Sequence, residues 1–327
     1  MSVDSVENAP QPHRRVLLAE PNGFCAGVRR AIAMVERALD IHGAPVYVRK
    51  EIVHNHYVVR ALERRGAVFV DSEQEVPEGA VCLFSAHGVA PAVRAGAHAR
   101  RLRTIDATCP LVSKVHQEAR RFARNGRTVL LVGHAAHEEV EGTYGEAPDR
   151  TVVVEDEADA RGLDLPRDTP VALLTQTTLS VAETAGITRV LRERFHDLVT
   201  PADSDICYAS TNRQVAVRQV ARRSDLVLVV GSRNSSNSLR MVEVARDTGT
   251  PAHLVPEVSE LRESWLAGGA VDTVGVSAGA SAPQILIDEL LARLDELGFH
   301  EVGPVRTAVE DVEFAMPAHL TADRGPG

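Results

Sequence analysis

Aromatic residues are scarce in this chain of 327 residues: 4%, with a single Trp. A core built without them must be filled by Val, Leu, Ile and Ala, which suits parallel sheets covered by helices. Apolar residues at 44% and charged residues at 25% fit a globular protein long enough for two or three domains. No uninterrupted apolar run reaches about 18 residues, so no membrane-spanning helix is expected. The polar start, MSVDSVENAPQPHRR, lacks the apolar core of a signal peptide. There is no long basic run and the net charge is −9, which argues against a nucleic-acid partner. A cytoplasmic protein is expected, with a floppy leader over 1–13 and a floppy end, TADRGPG.

Other absences narrow the chemistry. No G-x-x-x-x-G-K-[ST] loop is present, and no convincing G-x-G-x-x-G, so nucleotide hydrolysis and NAD binding are not expected. The four cysteines, Cys25, Cys82, Cys109 and Cys207, include no C-x-x-C pair. That disfavours a zinc ribbon or a thioredoxin-like site. Disulfides are not expected in a reducing compartment.

What is present is a repeat. "EPNGFCAGVRRAI" (20–32) follows the short apolar run Val16–Ala19 and leads into helical spacing at Val28, Ile32, Val35 and Leu39. "IDATCPLVSKVHQEARRFA" (105–123) does the same around Cys109, with Leu111, Val115, Ala119 and Phe122. "SDICYASTNRQVAVRQVARR" (204–223) does so around Cys207. Three sets of polar loops follow. After the next strand come "EIVHNHYVV", "GHAAHEEVEGT" and "GSRNSSNSLR". Short strands then lie at Val68–Val70, Val152–Val154 and His253–Val255. After a further strand come "LFSAHGVAP", "LLTQTTLSV" and "VSAGASAPQ".

One β-α-β-α-β-x-β-α plan is thus written three times. Alternating strands and helices imply parallel βαβ units, whose ligands sit at strand carboxyl ends near helix N-termini. The division predicted is leader 1–13, α/β repeats at 14–103, 104–197 and 198–298, and a tail at 299–327.

A thiol at a helix N-terminus is expected to lie closer to the thiolate, which binds soft metals. Three thiolates are one short of the usual set for an iron–sulfur cube and would leave one iron open to substrate oxygen. Zinc sites with three Cys usually add a His and a close-spaced pair, and radical enzymes cluster their cysteines in one loop. Cys82, mid-strand in "VCLFSA" and without counterparts, reads as a small buried residue.

His54, His87, His137, Thr177, Thr178, Ser235, Ser236, Asn237 and Ser281 occupy matching strand-end loops. Neutral donors at helix N-termini suit an anion such as phosphate, although the same Ser and Thr also serve as helix caps. His42, His98, His116, His196 and His300 read as structural or surface residues. Glu139, near a helix start, is a candidate proton donor, with Glu138 and Glu141 as ordinary first-turn acids and the choice among them open.

In order, "GFCAGV", "HN", "FSAHGV", "DATCPLV", "GHAAHEEVEGT", "TQTTLS", "ICYASTNRQ", "GSRNSSNS" and "SAGASAP" resemble the motifs of the IspH/LytB family of 4-hydroxy-3-methylbut-2-enyl diphosphate reductases, over roughly 15–290. The resemblance implies a trefoil of three similar α/β domains around a central cleft. It implies a 4Fe-4S cluster on Cys25, Cys109 and Cys207, and a small-molecule diphosphate substrate among His54, His87, His137, Thr178, Ser235, Ser236, Asn237 and Ser281. Glu139 and Thr177 would form a proton relay. A ferredoxin or flavodoxin would donate electrons, and isopentenyl and dimethylallyl diphosphate would be the products, at the end of the methylerythritol phosphate route. "EDVEFAMP" (310–317) would fold back on the body. Two other readings stand beside it: a non-enzymatic iron–sulfur or metal-responsive binding protein, which would need the cysteines but not Glu139 or the phosphate loops, and a zinc hydrolase.

Overall fold

The computed structural model describes residues 14–267 and 271–321. The leader 1–13 and the residues from 322 onward, where the floppy ends were expected, lie outside the described residues. The chain opens with β1 (Arg15–Glu20). A four-stranded sheet follows from β2 (Val46–Arg49), β3 (Ala67–Val70), β4 (Val81–Phe84) and β5 (Arg103–Asp106). A second comprises β6 (Thr128–Val132), β7 (Thr151–Val154), β8 (Val171–Thr175) and β9 (Leu198–Val199). β10 (Leu226–Val230), β11 (Ala252–Val255), β12 (Thr273–Ala278) and β13 (Glu301–Arg306) join β1 in a five-stranded third. Every pairing is parallel, and apolar clusters cover the sheets on both faces. Three similar parallel-sheet α/β units are therefore present, as the fold class anticipated.

The strand orders are β3-β2-β4-β5, β7-β6-β8-β9 and β11-β10-β12-β1-β13. In each, the second strand of the unit is outermost, then the first, the third and the fourth. In the third sheet the fourth place belongs to β1, from the other end of the chain. The three cysteine helices, Ala26–His42, Pro110–Arg124 and Tyr208–Ala221, consequently connect one sheet to the next: β1 to β2, β5 to β6 and β9 to β10.

Sheet membership crosses the edges of the sequential division. The strand that begins the 14–103 segment hydrogen-bonds to β12 and β13, with Arg15 opposite both Thr273 and Glu301. β5 straddles the 103/104 boundary and belongs to the first four-stranded sheet. The 299–327 segment is more than a tail, since it supplies β13 and a short helix, Ala318–Thr321. The reason is pairing between residues far apart in sequence, which local periodicity does not encode.

Local rules account for the elements themselves. β10 (LVLVV) and β12 (TVGVSA) are buried along their whole length, as a parallel strand covered on both faces must be. Gly275 of β12 admits the Cys207 helix, because a Cβ there would lie 2.4 Å from Val220 Cγ1. No described helix is long and apolar enough to cross a membrane.

Candidate active site

Each cysteine occupies the N-cap of its helix. Cys25 N–H donates to Ala280 O at 3.1 Å, Cys109 N–H to Ala86 O at 3.0 Å and Cys207 N–H to Thr177 O at 3.0 Å. Those three carbonyls are equivalent, each two residues beyond the third strand of its sheet. The thiols are thereby tied to the polar loops of "SAGASAP", "FSAHGV" and "TQTTLS", and all three line one cleft.

The space between the thiols is kept clear by Gly27. A Cβ at that position would lie 2.8 Å from Cys109 Sγ and 3.9 Å from Cys25 Sγ. Three thiols lining one cleft, two of them beside a space that a methyl would fill, fit a soft metal centre. For Cys109 and Cys207 the expectation of a thiolate-leaning thiol is corrected in the metal-free protein. Burial pushes Cys109 up to about 12 and Cys207 up to about 11, outweighing the backbone amides of Leu111 and Ser210 that favour their anions, while neighbouring thiols add repulsion. Cys82 is fully buried in β4, away from the cleft, with its thiol pushed up to about 12 by burial.

The first-strand loops start helices with their own caps. Asn55 Oδ1 accepts from Val58 N–H at 3.2 Å, His137 Nδ1 from Glu139 N–H at 3.1 Å and Ser235 Oγ from Ser238 N–H at 3.3 Å. Capping and cleft lining coincide at His137 and Ser235. His54 and His87 stack with ring centroids 3.9 Å apart, and His137 stands edge-on at 5.2 and 5.8 Å. Thr178 Oγ1 donates to Ser236 Oγ at 3.1 Å, and Ser281 Oγ to His54 O at 2.9 Å. Asn237 binds within the protein on both sides, accepting from Ala280 N–H at 2.9 Å and donating to Ser210 Oγ at 3.3 Å.

Glu139 is 2% exposed. Its Oε1 accepts from Thr177 N–H at 2.6 Å and its Oε2 from Thr177 Oγ1 at 3.1 Å. Burial raises its pKa to about 7 against those two bonds, with Asp205 adding to the rise. The open choice at this helix start is now resolved in space. Glu138 turns to His87, Glu139 is buried on Thr177, and Glu141 faces solvent.

Every residue predicted for the site lines this one cleft. Others were missed. Tyr208, whose hydroxyl accepts from Ala26 N–H at 3.3 Å, and Ser210 follow Cys207 directly, and Gly27 follows Cys25 by two. Phe314 reaches the cleft from the C-terminal segment, which does fold back. Arg30 Nε holds Ala315 O at 2.9 Å, and Met316 packs on the core beneath the Cys25 helix. His116 is buried and pairs with Glu146 at 2.8 Å, a structural role as expected. His54, His87 and Glu138 bring donor atoms within 4.8 Å of one another. His87 and Glu138 are already hydrogen-bonded to each other, so the set is a polar network more than a metal cradle.

Three α/β units meeting at a thiol-lined cleft, with a buried carboxyl and a histidine cluster, make the site of an enzyme that acts on a small molecule. The LytB protein family model matches residues 16–295. The chain is 56% identical to the 4-hydroxy-3-methylbut-2-enyl diphosphate reductase of Rhodococcus opacus, over 99% of this chain and 96% of that one. It is 57% identical to the enzyme of the same name from Mycolicibacterium paratuberculosis, over 95% and 93%. A solved structure, the E-1-hydroxy-2-methyl-but-2-enyl-4-diphosphate reductase from Plasmodium falciparum, superposes with a TM-score of 0.91 at 36% identity, covering 94% of this chain and 97% of that one. The chain belongs to the LytB protein family and, with it, to the oxidoreductases.

Proposed function

We propose that the chain reductively dehydroxylates 4-hydroxy-3-methylbut-2-enyl diphosphate to isopentenyl and dimethylallyl diphosphate, the last step of the methylerythritol phosphate route. Cys25, Cys109 and Cys207 hold a 4Fe-4S cluster, and a ferredoxin or flavodoxin supplies its electrons. When bound, the cluster supplies electrons one at a time and a Lewis-acidic iron without a protein ligand. The observation that carries this reading is the set of three equivalent cysteine caps opening on the same cleft as Glu139.

The remaining work belongs to side chains. His54, His87, His137 and the hydroxyls of Thr178, Ser235, Ser236 and Ser281 orient the diphosphate. Asn237 holds the Ser281 loop through the Ala280 N–H. Glu139, whose pKa of about 7 leaves it substantially protonated at neutral pH, holds a proton that Thr177 helps to place. Phe314 covers the cleft from the C-terminal side and limits water. Two electrons and two protons replace the C–O bond by a C–H bond and release one water. Protonation at either end of the allylic system accounts for two products. A reducing cytoplasm suits the free thiols.

The test is anaerobic turnover of the hydroxylated diphosphate with an artificial one-electron reductant, alongside metal and sulfide analysis. Both isomers should form, on protein carrying iron and sulfide. Stoichiometric zinc without iron or sulfide, with no turnover, would remove the redox reading.

A further inference from the structure

The residues lining the cleft include no Lys or Arg among those described, although a diphosphate is strongly anionic. The histidines are the lining side chains that can become cations, and they are not wired alike. His137 accepts a backbone N–H at Nδ1, so its neutral ring carries hydrogen on Nε2 and can donate without charge. Burial and the neighbouring rings hold its pKa down, to about 2. His54 and His87 are wired the opposite way. His54 Nδ1 faces Glu51 Oε2 at 3.3 Å, and His87 Nδ1 faces Glu138 Oε2 at 3.2 Å.

An ionised carboxylate only accepts, so each of these Nδ1 atoms carries the hydrogen. The neutral ring then has a lone pair at Nε2, and a lone pair repels a phosphate oxygen. Only the protonated ring can donate there. Burial disfavours charge on both carboxyls. Even so, bonds from His54 and Asn234 hold Glu51 below its ordinary pKa, and the His87 bond, with nearby His54 and Lys50, does so for Glu138. Burial and the stacked His87 hold His54 below its own ordinary value. His54 therefore waits neutral beside the Glu51 carboxylate, with His87 stacked on it and paired to Glu138.

We propose that Glu51 and Glu138 are positioning residues that make diphosphate binding proton-coupled: the anion enters with protonation of the stacked His54–His87 pair, and the two carboxylates balance the resulting imidazoliums. The balance is simple: protons come from solvent to Nε2, and no covalent bond of the ligand changes. This rests on the diphosphate reading above. The charged and titratable groups around the pair are Lys50, Glu51 and His56 after β2, and His137 and Glu138 after β6, with His134 beyond His137. His56 shares Glu51 at 3.4 Å, and Asn234 donates to the same carboxylate at 2.7 Å.

Calorimetric titration of the anaerobic holoenzyme with isopentenyl diphosphate tests it, in buffers of different ionisation enthalpy at about pH 8. The terminal phosphate ionises near 6, so the ligand is fully charged there and protons taken up go to the protein. We expect uptake of about one to two protons per ligand, and a Kd that rises above pH 7 by about tenfold per pH unit for each proton taken up. Glu51→Gln and Glu138→Gln should each lower the proton count, and each should weaken binding at pH 8 by about tenfold. That loss should shrink as the pH falls. Glu138→Asp should restore part of the count. Buffer-independent heats and a flat Kd from pH 6.5 to 8.5 in the parent would overturn proton coupling while leaving the diphosphate site standing. Unchanged Kd and proton count in both Gln variants would overturn the role of the carboxylates. No binding at all, or a His87→Ala variant that binds as tightly as the parent, is the failure of the diphosphate reading, and this proposal falls with it.

Discussion

Three acids within one turn of a helix start, Glu138, Glu139 and Glu141, show what a single residue's phase decides. Neighbours on a helix lie about 100° apart, so one acid faces His87, one is buried on Thr177 and one meets water. Sequence reasoning left the choice open because it turns on which residue caps the helix. His137 does so through a side-chain bond that no spacing rule announces. The loops that bear the site residues were legible because each polar cluster recurs after equivalent strands. Their exact partners were not, because hydrogen bonds such as Thr177 to Glu139 join segments 38 residues apart. Glu139→Gln should lower turnover by more than about 100-fold, within the usual range for a lost acid. Iron, sulfide and the visible spectrum should stay as in the parent. In the parent, turnover should fall as pH rises through about 7, where the carboxyl loses its proton. The stability effect has the same sign. Because its folded pKa lies above the unfolded one, the neutral form favours folding at low pH, and that contribution is lost as pH rises through about 7. Thermal melts should therefore show Glu139→Gln gaining on the parent from pH 5 to pH 8.

At the scale of elements, the cysteine helices are continuous with the sheets on either side, and their starts are fixed from outside. The carbonyls of Ala280, Ala86 and Thr177 take the three cysteine N–H groups. Strands and helices were readable from β-branched runs and from 3.6-residue spacing, as in Val28, Ile32, Val35 and Leu39, which face the first core. The ownership of the strand before each cysteine was not, since β1 looks the same whether it joins β2 or β12. Gly27→Ala tests the cradle. Its methyl would enter the space beside Cys109 Sγ, with an overpacking cost of about 1–3 kcal/mol if the thiol cannot yield. We expect less than half the parent's iron and sulfide per chain after anaerobic reconstitution, with an unchanged far-ultraviolet dichroism spectrum. Full iron loading would show the space to be unneeded.

Across the whole molecule, one buried cation gathers three distant parts. Arg213, fully buried in the Cys207 helix, donates to Gly23 O at 2.7 and 3.2 Å, two residues before Cys25. It also donates to Ala209 O at 3.1 Å and to the Glu310 carboxylate at 2.9 and 3.3 Å. The helix of one thiol is thus joined to the loop of another and to the segment that carries Phe314. Arg213→Met would leave Glu310 and the Gly23 carbonyl without their partner and should cost about 3–5 kcal/mol, measured by denaturant unfolding. Activity should fall with it, because the Gly23 carbonyl sets the approach to Cys25. A loss below about 1 kcal/mol would mean that water replaces the guanidinium without penalty.

The placement of β1 between β12 and β13 also bears on how the protein is made. β1 finds both of its neighbours only once Thr273–Ala278 and Glu301–Arg306 have been made. The middle sheets have all their strands in hand well before then. Synthesis of Cys207 is therefore not the moment at which the three sulfurs come together. A metal held by all three cysteines, as proposed above, would find its complete site only after β13 has been made.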